Sequence, residues 1–284
     1  MRRRLSWLDV FTSRPLTGNG LAVVHHADGI NDATMLAFAR ETRLSETTYV
    51  QSATEDGADY RNRIWTIVAE LPFAGHPSLG TAVAVANARA ERAAHYVQQT
   101  GAGLQPVDVE LGSNGVARAS MLQEPAQFGA ELDPARVLDA LGLDAADGDP
   151  DLPPQVVSTG VAQLMVPVRD ATVLRRTHPR PEALGPVLSE AGVVAAYVAW
   201  HDAANDAAQA RSYFMTDDVV AEDPATGSAA GPLCAYLHAR TGATRVDIEQ
   251  GVAMGRPSRL FCEAGERVRV AGDVVLLAEG EIEL

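Results

Sequence analysis

One short pattern, Glu-x-Pro-x-x-Gly, occurs twice in this 284-residue chain, as Glu70–Gly75 and as Glu222–Gly227. Each copy runs directly into a small, apolar, helix-prone segment, and the copies lie 152 positions apart. Thr17-Gly18 and Thr159-Gly160, which each open an apolar strand-like run, lie 142 positions apart. Shared order and similar offset imply an internal duplication. The run SLGTAVAVANARAERAA after Pro77 has Ala and Leu on every side, so it reads as a helix buried all round. Such a helix needs a sheet wrapped about it.

The remaining periodicity fits that requirement. Leu5 to Phe11, Leu21 to His25, Thr47 to Gln51 and Tyr60 to Ile67 read as strands, with a helix from Asn31 to Arg40 capped by Asn31 or Asp32. After a helical DPARVLDALGL from Asp133 and a loop-rich stretch, Gly148 to Pro154, a similar order returns. Strands are expected at Val156 to Val157, Gln163 to Val168, Ala195 to His201 and Ala210 to Met215, and helices at Glu182 to Ala191 and Ser228 to Arg240. Two pseudo-equivalent units predict a ligand cleft where two helix N-termini meet.

Composition removes several classes of function. All 23 basic residues are Arg, so lysine Schiff bases, lysine nucleophiles and Walker-type phosphate lysines are excluded. With 37 acidic residues the formal charge is −14, and no arginine stripe offers a nucleic-acid surface. Cys234 and Cys262 are too few for a disulfide framework and lack metal-ligand spacing. No run approaches 18 uninterrupted apolar residues, and the N-terminus has no signal-like apolar core, so a cytoplasmic protein without membrane attachment is expected.

The residues able to do chemistry gather at the repeated motif. In each copy a Pro-containing turn and a Gly deliver unpaired N–H groups and the positive end of a helix dipole to one spot, a potential anion site built without lysine. Gly75, Gly227 and Ser228 would supply it; read singly, the glycines are turn residues and Ser228 an N-cap. His76 stands in GHPSLG, where nearby helix N–H groups would depress its pKa and leave a neutral hydrogen-bonding group. A capping or solvent role is the plainer explanation, and is the one taken for His25, His26, His95, His178, His201 and His238.

Glu46, in RLSETTYV, puts a charge into a β-branched run, a local conflict of the kind that concentrates at functional sites. An exposed strand face explains it equally well; buried, it would suit a general base that later returns its proton. Asp223, before Pro224, fits an Asx-turn or a second acid. Glu70 and Glu222 recur in both copies, which points to a structural task such as holding the turn. Trp65, Tyr49, Tyr213 and Met215 could line a pocket, although such residues in strands are more often core.

The stretches DVFTSRPLTGNGLAVV, RLSETTYV, RNRIWTIVAELPFAGHPSLGTA, VVSTGVAQLMVPV, AEDPATGSAAGPLCAYL and EQGVAMGRPSRL span Asp9 to Leu260 and resemble the phenazine-biosynthesis PhzF-like family. The resemblance implies the diaminopimelate-epimerase-like α+β fold: two pseudo-repeated domains, each a curled, mostly antiparallel barrel-like sheet around a central helix. The domains are expected at residues 1–125 and 126–271, with a last strand at about 272–284 able to return to the first.

The resemblance also implies a homodimer and catalysis without metal or organic cofactor. The family's best-understood members isomerise dihydro-hydroxyanthranilate by moving a proton between ring carbons, with a glutamate as general base. Carried over by motif, Glu46 is the general base, His76, Asp223 and Ser228 match the other polar positions, and Gly75, Gly227 and Ser228 would contact the substrate carboxylate.

Related epimerases hold paired cysteines just before the helix-opening glycines; Ala74 and Thr226 stand there, which rules out a two-thiol racemase. Gly20 occupies a position where many relatives carry proline. The expected partner is a small carboxylated metabolite. An epimerase or hydrolase on the same scaffold and a non-catalytic carboxylate sensor are the competing readings.

Overall fold

In a computed structural model covering residues 1–284, the elements run in the following order. First come β1 (Arg2–Val10), β2 (Asn19–Val24), α1 (Asp32–Thr42), β3 (Glu46–Gln51), β4 (Tyr60–Trp65), β5 (Glu70–Leu71) and α2 (Gly75–Arg89). They are followed by β6 (Ala93–Thr100), β7 (Gly103–Leu111), β8 (Val116–Leu122), β9 (Gln127–Glu131), α3 (Pro134–Ala140), β10 (Gln155–Ser158) and β11 (Ala162–Pro167). Next are α4 (Ala171–Arg176), α5 (Pro181–Ala191), β12 (Ala195–Asp202), β13 (Ala207–Thr216) and β14 (Val219–Asp223). The chain ends with α6 (Gly227–Thr241), β15 (Arg245–Gln250), β16 (Ser258–Glu263) and β17 (Arg269–Glu283). The chain forms two units, Met1–Leu122 with Ala271–Leu284, and Gln123–Val270.

In the first unit β1 pairs antiparallel with β2, β2 parallel with β3, β3 antiparallel with β4 and β4 parallel with β6. Antiparallel β7 and β8 follow, β17 pairs with β8, and β17 pairs back onto β1, closing an eight-stranded barrel. Inside it lies α2, whose residues from Gly75 to Ala86 are all buried. Its only interior glycine has a steric reason: a Cβ at Gly80 would lie 2.5 Å from Leu21 Cδ2. The helix stops earlier than its alanine content predicts. Ala90 turns left-handed (φ 56°) and gives its N–H to Ala86, and Ala93-Ala94 begin β6.

The second unit repeats the scheme. β10 pairs antiparallel with β11, β11 parallel with β12, β12 antiparallel with β13, β13 parallel with β15 and β15 antiparallel with β16. The short strand before each central helix, β5 or β14, forms a hairpin with its predecessor. α6 is buried along Ala229–Leu237 and packs on β10, β11, β15 and β16. A Cβ at Gly231 would sit 1.8 Å from Gln123 Oε1, because the Gln123 amide donates to the Gly227 carbonyl at 2.8 Å.

The repeated glutamates have matching partners. Arg63 grips Glu70 through Nε and Nη2 at 2.7 and 2.6 Å, and Arg211 grips Glu222 the same way at 2.9 and 2.7 Å. Each guanidinium also lies over an aromatic ring two residues on, Trp65 or Tyr213. These two-pronged pairs fix the hairpins that lead into α2 and α6.

Apolar clusters cover the outer faces of the strands. Val24, Tyr49 and Trp65 pack with Met35 and Ala39 of α1, while Leu164, Val166, Ala196, Val198 and Tyr213 pack with α3, α4 and α5. Tyr49, Tyr213 and Trp65 therefore serve as core, and Met215 lies partly buried against the second cluster. One expectation fails: His25 is 3 % exposed, with Nε2 at 2.9 Å from Ser6 Oγ, and is not a surface histidine. No helix is long and apolar enough to cross a membrane.

Candidate active site

Strand alternation decides where Glu46 points. Thr47 and Tyr49 turn toward α1, through contacts with Thr42 Oγ1 and the Met35 carbonyl. Thr48 turns the other way, its Oγ1 at 2.8 Å from Thr81 Oγ1 of α2. Glu46, two residues before Thr48, shares that inward face. Its side chain is 16 % exposed, and Oε2 lies 3.4 Å from Nε2 of His76.

His76, the second residue of α2, is 4 % exposed. Its pKa is lowered to about 3, chiefly because burial penalises the imidazolium; a hydrogen bond with the Gly20 backbone works the other way. The lowered basicity was expected from the helix N-terminus, but loss of hydration accounts for it. At neutral pH the ring is uncharged, so its approach to Glu46 is that of a neutral imidazole to a carboxyl group. Asn19 Nδ2, at 3.2 Å, faces Nδ1.

In the second unit Asp223 ends β14, and its Oδ2 accepts from Thr226 Oγ1 at 2.6 Å. Gln250, from β15, braces the same turn. Its Nε2 donates to the Asp223 carbonyl at 2.8 Å and to Thr226 Oγ1 at 3.0 Å, while its Oε1 accepts from the Thr226 N–H at 3.1 Å and from Tyr197 Oη at 2.8 Å. Asp223 itself is partly buried at the head of α6. Ser228, second residue of α6, accepts from Gln163 Nε2 at 3.3 Å.

The two central helices begin without the side-chain caps that three of the other four helices have. Asn31, Asp133 and Asp170 cap α1, α3 and α4 with their own side chains. Ala74 and Thr226 make no side-chain cap, and neither first turn contains an acidic residue. The leading N–H groups at Gly75 and Gly227 therefore donate no hydrogen bond to the side chain of their N-cap residue.

Sequence reasoning reached Glu46, His76 and Gly75, which the first unit brings together, and Asp223, Gly227 and Ser228, which the second brings together. It passed over Asn19, Gln163 and Gln250. Their signal was a buried amide in or beside an apolar strand, invisible until the inward face was known.

The two cysteines, Cys234 and Cys262, form no disulfide. Both are buried, and burial pushes the Cys234 thiol up to about 12 and Cys262 higher than its ordinary value. No group of three or more His, Cys, Asp or Glu side chains is placed to hold a metal ion.

Comparison with known proteins follows the same lines. A probable proline racemase from Agrobacterium radiobacter superposes at a TM-score of 0.69 over 99 % of this chain and 93 % of its own, at 12 % identity. A predicted epimerase from Pseudomonas aeruginosa gives 0.86 over 99 % of both chains, at 36 % identity. The architecture is therefore the epimerase-like α+β fold. Residues 8–280 match the phenazine biosynthesis-like (PhzC-PhzF) family, and this chain belongs to it. The trans-2,3-dihydro-3-hydroxyanthranilate isomerase of Pseudomonas aeruginosa is 37 % identical across 96 % of each chain.

Proposed function

We propose that this protein is an isomerase, needing neither metal nor organic cofactor, that moves a proton between carbons of a small carboxylate. Its relatives named trans-2,3-dihydro-3-hydroxyanthranilate isomerase, 35 to 37 % identical over nearly their whole length, point to a substrate of that type. The observation that carries the reading is the partly buried Glu46 carboxyl beside a neutral His76 at the uncapped start of α2.

In the proposed reaction the substrate carboxylate takes hydrogen bonds from the leading N–H groups of Gly75 or Gly227 and from Ser228. Glu46 accepts a proton from carbon as the C–H electrons move into the adjoining unsaturated system. The carboxyl proton exchanges with solvent, and Glu46 or Asp223 then delivers a proton to a different carbon, so the double bonds shift and no redox change occurs. His76, uncharged, donates or relays a hydrogen bond to the changing carboxyl group. Asp223 is assigned the role of second acid. The homodimer implied by family resemblance and the cytoplasmic location expected from the sequence belong to this proposal, and sedimentation of the purified chain tests the former.

The decisive experiment incubates the protein in heavy water with trans-2,3-dihydro-3-hydroxyanthranilate and follows the product by proton NMR. A shifted double bond, with deuterium only at the carbon that receives the proton, is the expected result. Starting material returned inverted at one carbon would replace isomerisation with epimerisation, the reading favoured by the predicted-epimerase structural neighbour. Binding without any carbon exchange would leave a sensor.

A further inference from the structure

The two units handle the second residue of their central helix in one way. In the first, Nδ2 of Asn19, on β2, lies 3.2 Å from Nδ1 of His76. In the second, Nε2 of Gln163, on β11, lies 3.3 Å from Oγ of Ser228. β2 and β11 occupy equivalent places in the two strand orders, each antiparallel to the first strand and parallel to the third. His76 and Ser228 each follow the glycine of the repeated motif. Asn19 and Gln163 are 2 % and 1 % exposed.

An amide nitrogen can only donate, whereas neutral imidazole and hydroxyl groups have one hydrogen to give and at least one lone pair to fill. A donor placed on Nδ1 puts the neutral ring's own hydrogen on Nε2, the nitrogen nearest Glu46. A donor placed on the serine oxygen leaves that hydroxyl's hydrogen free to point elsewhere.

We infer that Asn19 and Gln163 are a matched pair of positioning residues, each fixing the side chain it touches as a directed hydrogen-bond donor: His76 through Nε2–H, Ser228 through Oγ–H. The inference deepens the isomerase reading and rests on it for its consequence in catalysis. Burial cost argues that the pair is not packing alone. Gln163 Oε1 is buried without a partner, a penalty that an apolar side chain of similar size would avoid. The Gly20 carbonyl is a rival neighbour of the His76 ring, since it favours a ring N–H directed at itself. The tautomer of His76 is therefore the quantity to measure.

Full-length protein labelled with 15N-histidine reports that tautomer directly by two-bond nitrogen–proton correlation. The wild type should carry the hydrogen on Nε2. Asn19→Asp replaces the donor by an acceptor, so the hydrogen should move to Nδ1 or the ring should become doubly protonated near neutral pH, with kcat falling on the order of 10²-fold and KM changing little. Gln163→Glu, which would take the Ser228 hydrogen for itself, should raise KM for the carboxylate on the order of 10-fold, and Gln163→Met should raise it less.

A wild-type ring protonated on Nδ1 overturns the inference, and needs no variant to fold. So does an unchanged tautomer in folded Asn19→Asp, or an effect of Gln163→Met as large as that of Gln163→Glu. If the tautomer switches as expected while the wild type exchanges no carbon-bound proton, the donor assignment stands and the isomerase reading falls.

Discussion

The first and second units share a strand order, a buried 15-residue central helix and an Arg-clamped glutamate before it, yet differ where chemistry would occur. The third strand of the first unit opens on Glu46; that of the second opens on Ala195. The second helix residue is an imidazole in one and a hydroxyl in the other. Duplication has preserved what builds the helix start and let the side chains around it diverge. One unit sets a carboxyl group beside a neutral imidazole, while the other sets a hydroxyl and a braced carboxylate at its helix start.

Substitution at the carboxyl groups should break that contrast most visibly. Glu46→Gln should lower kcat on the order of 10²- to 10⁴-fold while ligand binding, followed by calorimetry, persists. Asp223→Asn should cost less in kcat and more in KM, because Asp223 also holds the Thr226 hydroxyl. Equal losses in kcat would mean that the units share proton transfer evenly.

The helix glycines come next. Gly231→Ala should destabilise by about 1–3 kcal/mol, since the added methyl displaces Gln123 from both the Gly227 carbonyl and Thr159. Gly80→Ala should cost less, because the added methyl meets only the apolar ends of Leu21 and Val10, at 2.5 and 2.7 Å, and breaks no buried hydrogen bond. Denaturant melts of the two variants rank them, and a reversed order would refute this account of the packing.

A smaller difference is expected between the clamps. The Arg211–Glu222 pair is more sheltered on its acidic side than Arg63–Glu70. A double-mutant cycle should give about 1–2 kcal/mol of coupling for the former and under about 1 kcal/mol for the latter.

The last test concerns acid stability. Burial lowers His25 to about 4 and His76 to about 3, so the native state refuses protons that the unfolded chain accepts below about 6.5. Stability should be insensitive to these groups above pH 6.5. It should fall as pH drops, until about 4 for His25 and about 3 for His76. His25→Gln should flatten the slope by about one proton over the first of these windows. An unchanged slope, read from urea midpoints against pH, would show that His25 is not held neutral.

The sequence carried the duplication, the two buried helices and most strands before each helix, because these depend on local periodicity and on the spacing of Pro and Gly. Glu46 was visible as a charge in a β-branched run. The strands after each central helix were not assigned. β9 is exposed throughout and has no apolar signature, whereas Val107, Val109 and Leu111 of β7 do alternate with Asp108 and Glu110, a signal only five residues long. Asn19 and Gln163 escaped for another reason. In a strand buried on both faces, alternation does not tell which side chains look toward the helix. His25 was misplaced on the surface because its partner, Ser6, lies on the neighbouring strand.

The order in which the chain is made has a cost for the first unit. Its barrel is sealed by the part of β17 that pairs with β1, Val274 to Glu283, which is synthesised after every residue of Gln123–Val270. On the ribosome β1 and β8 must therefore wait as open edges while the entire second unit emerges. Deleting the segment after Val270 should leave a nascent-like species with two unzipped strands, prone to pair with other copies.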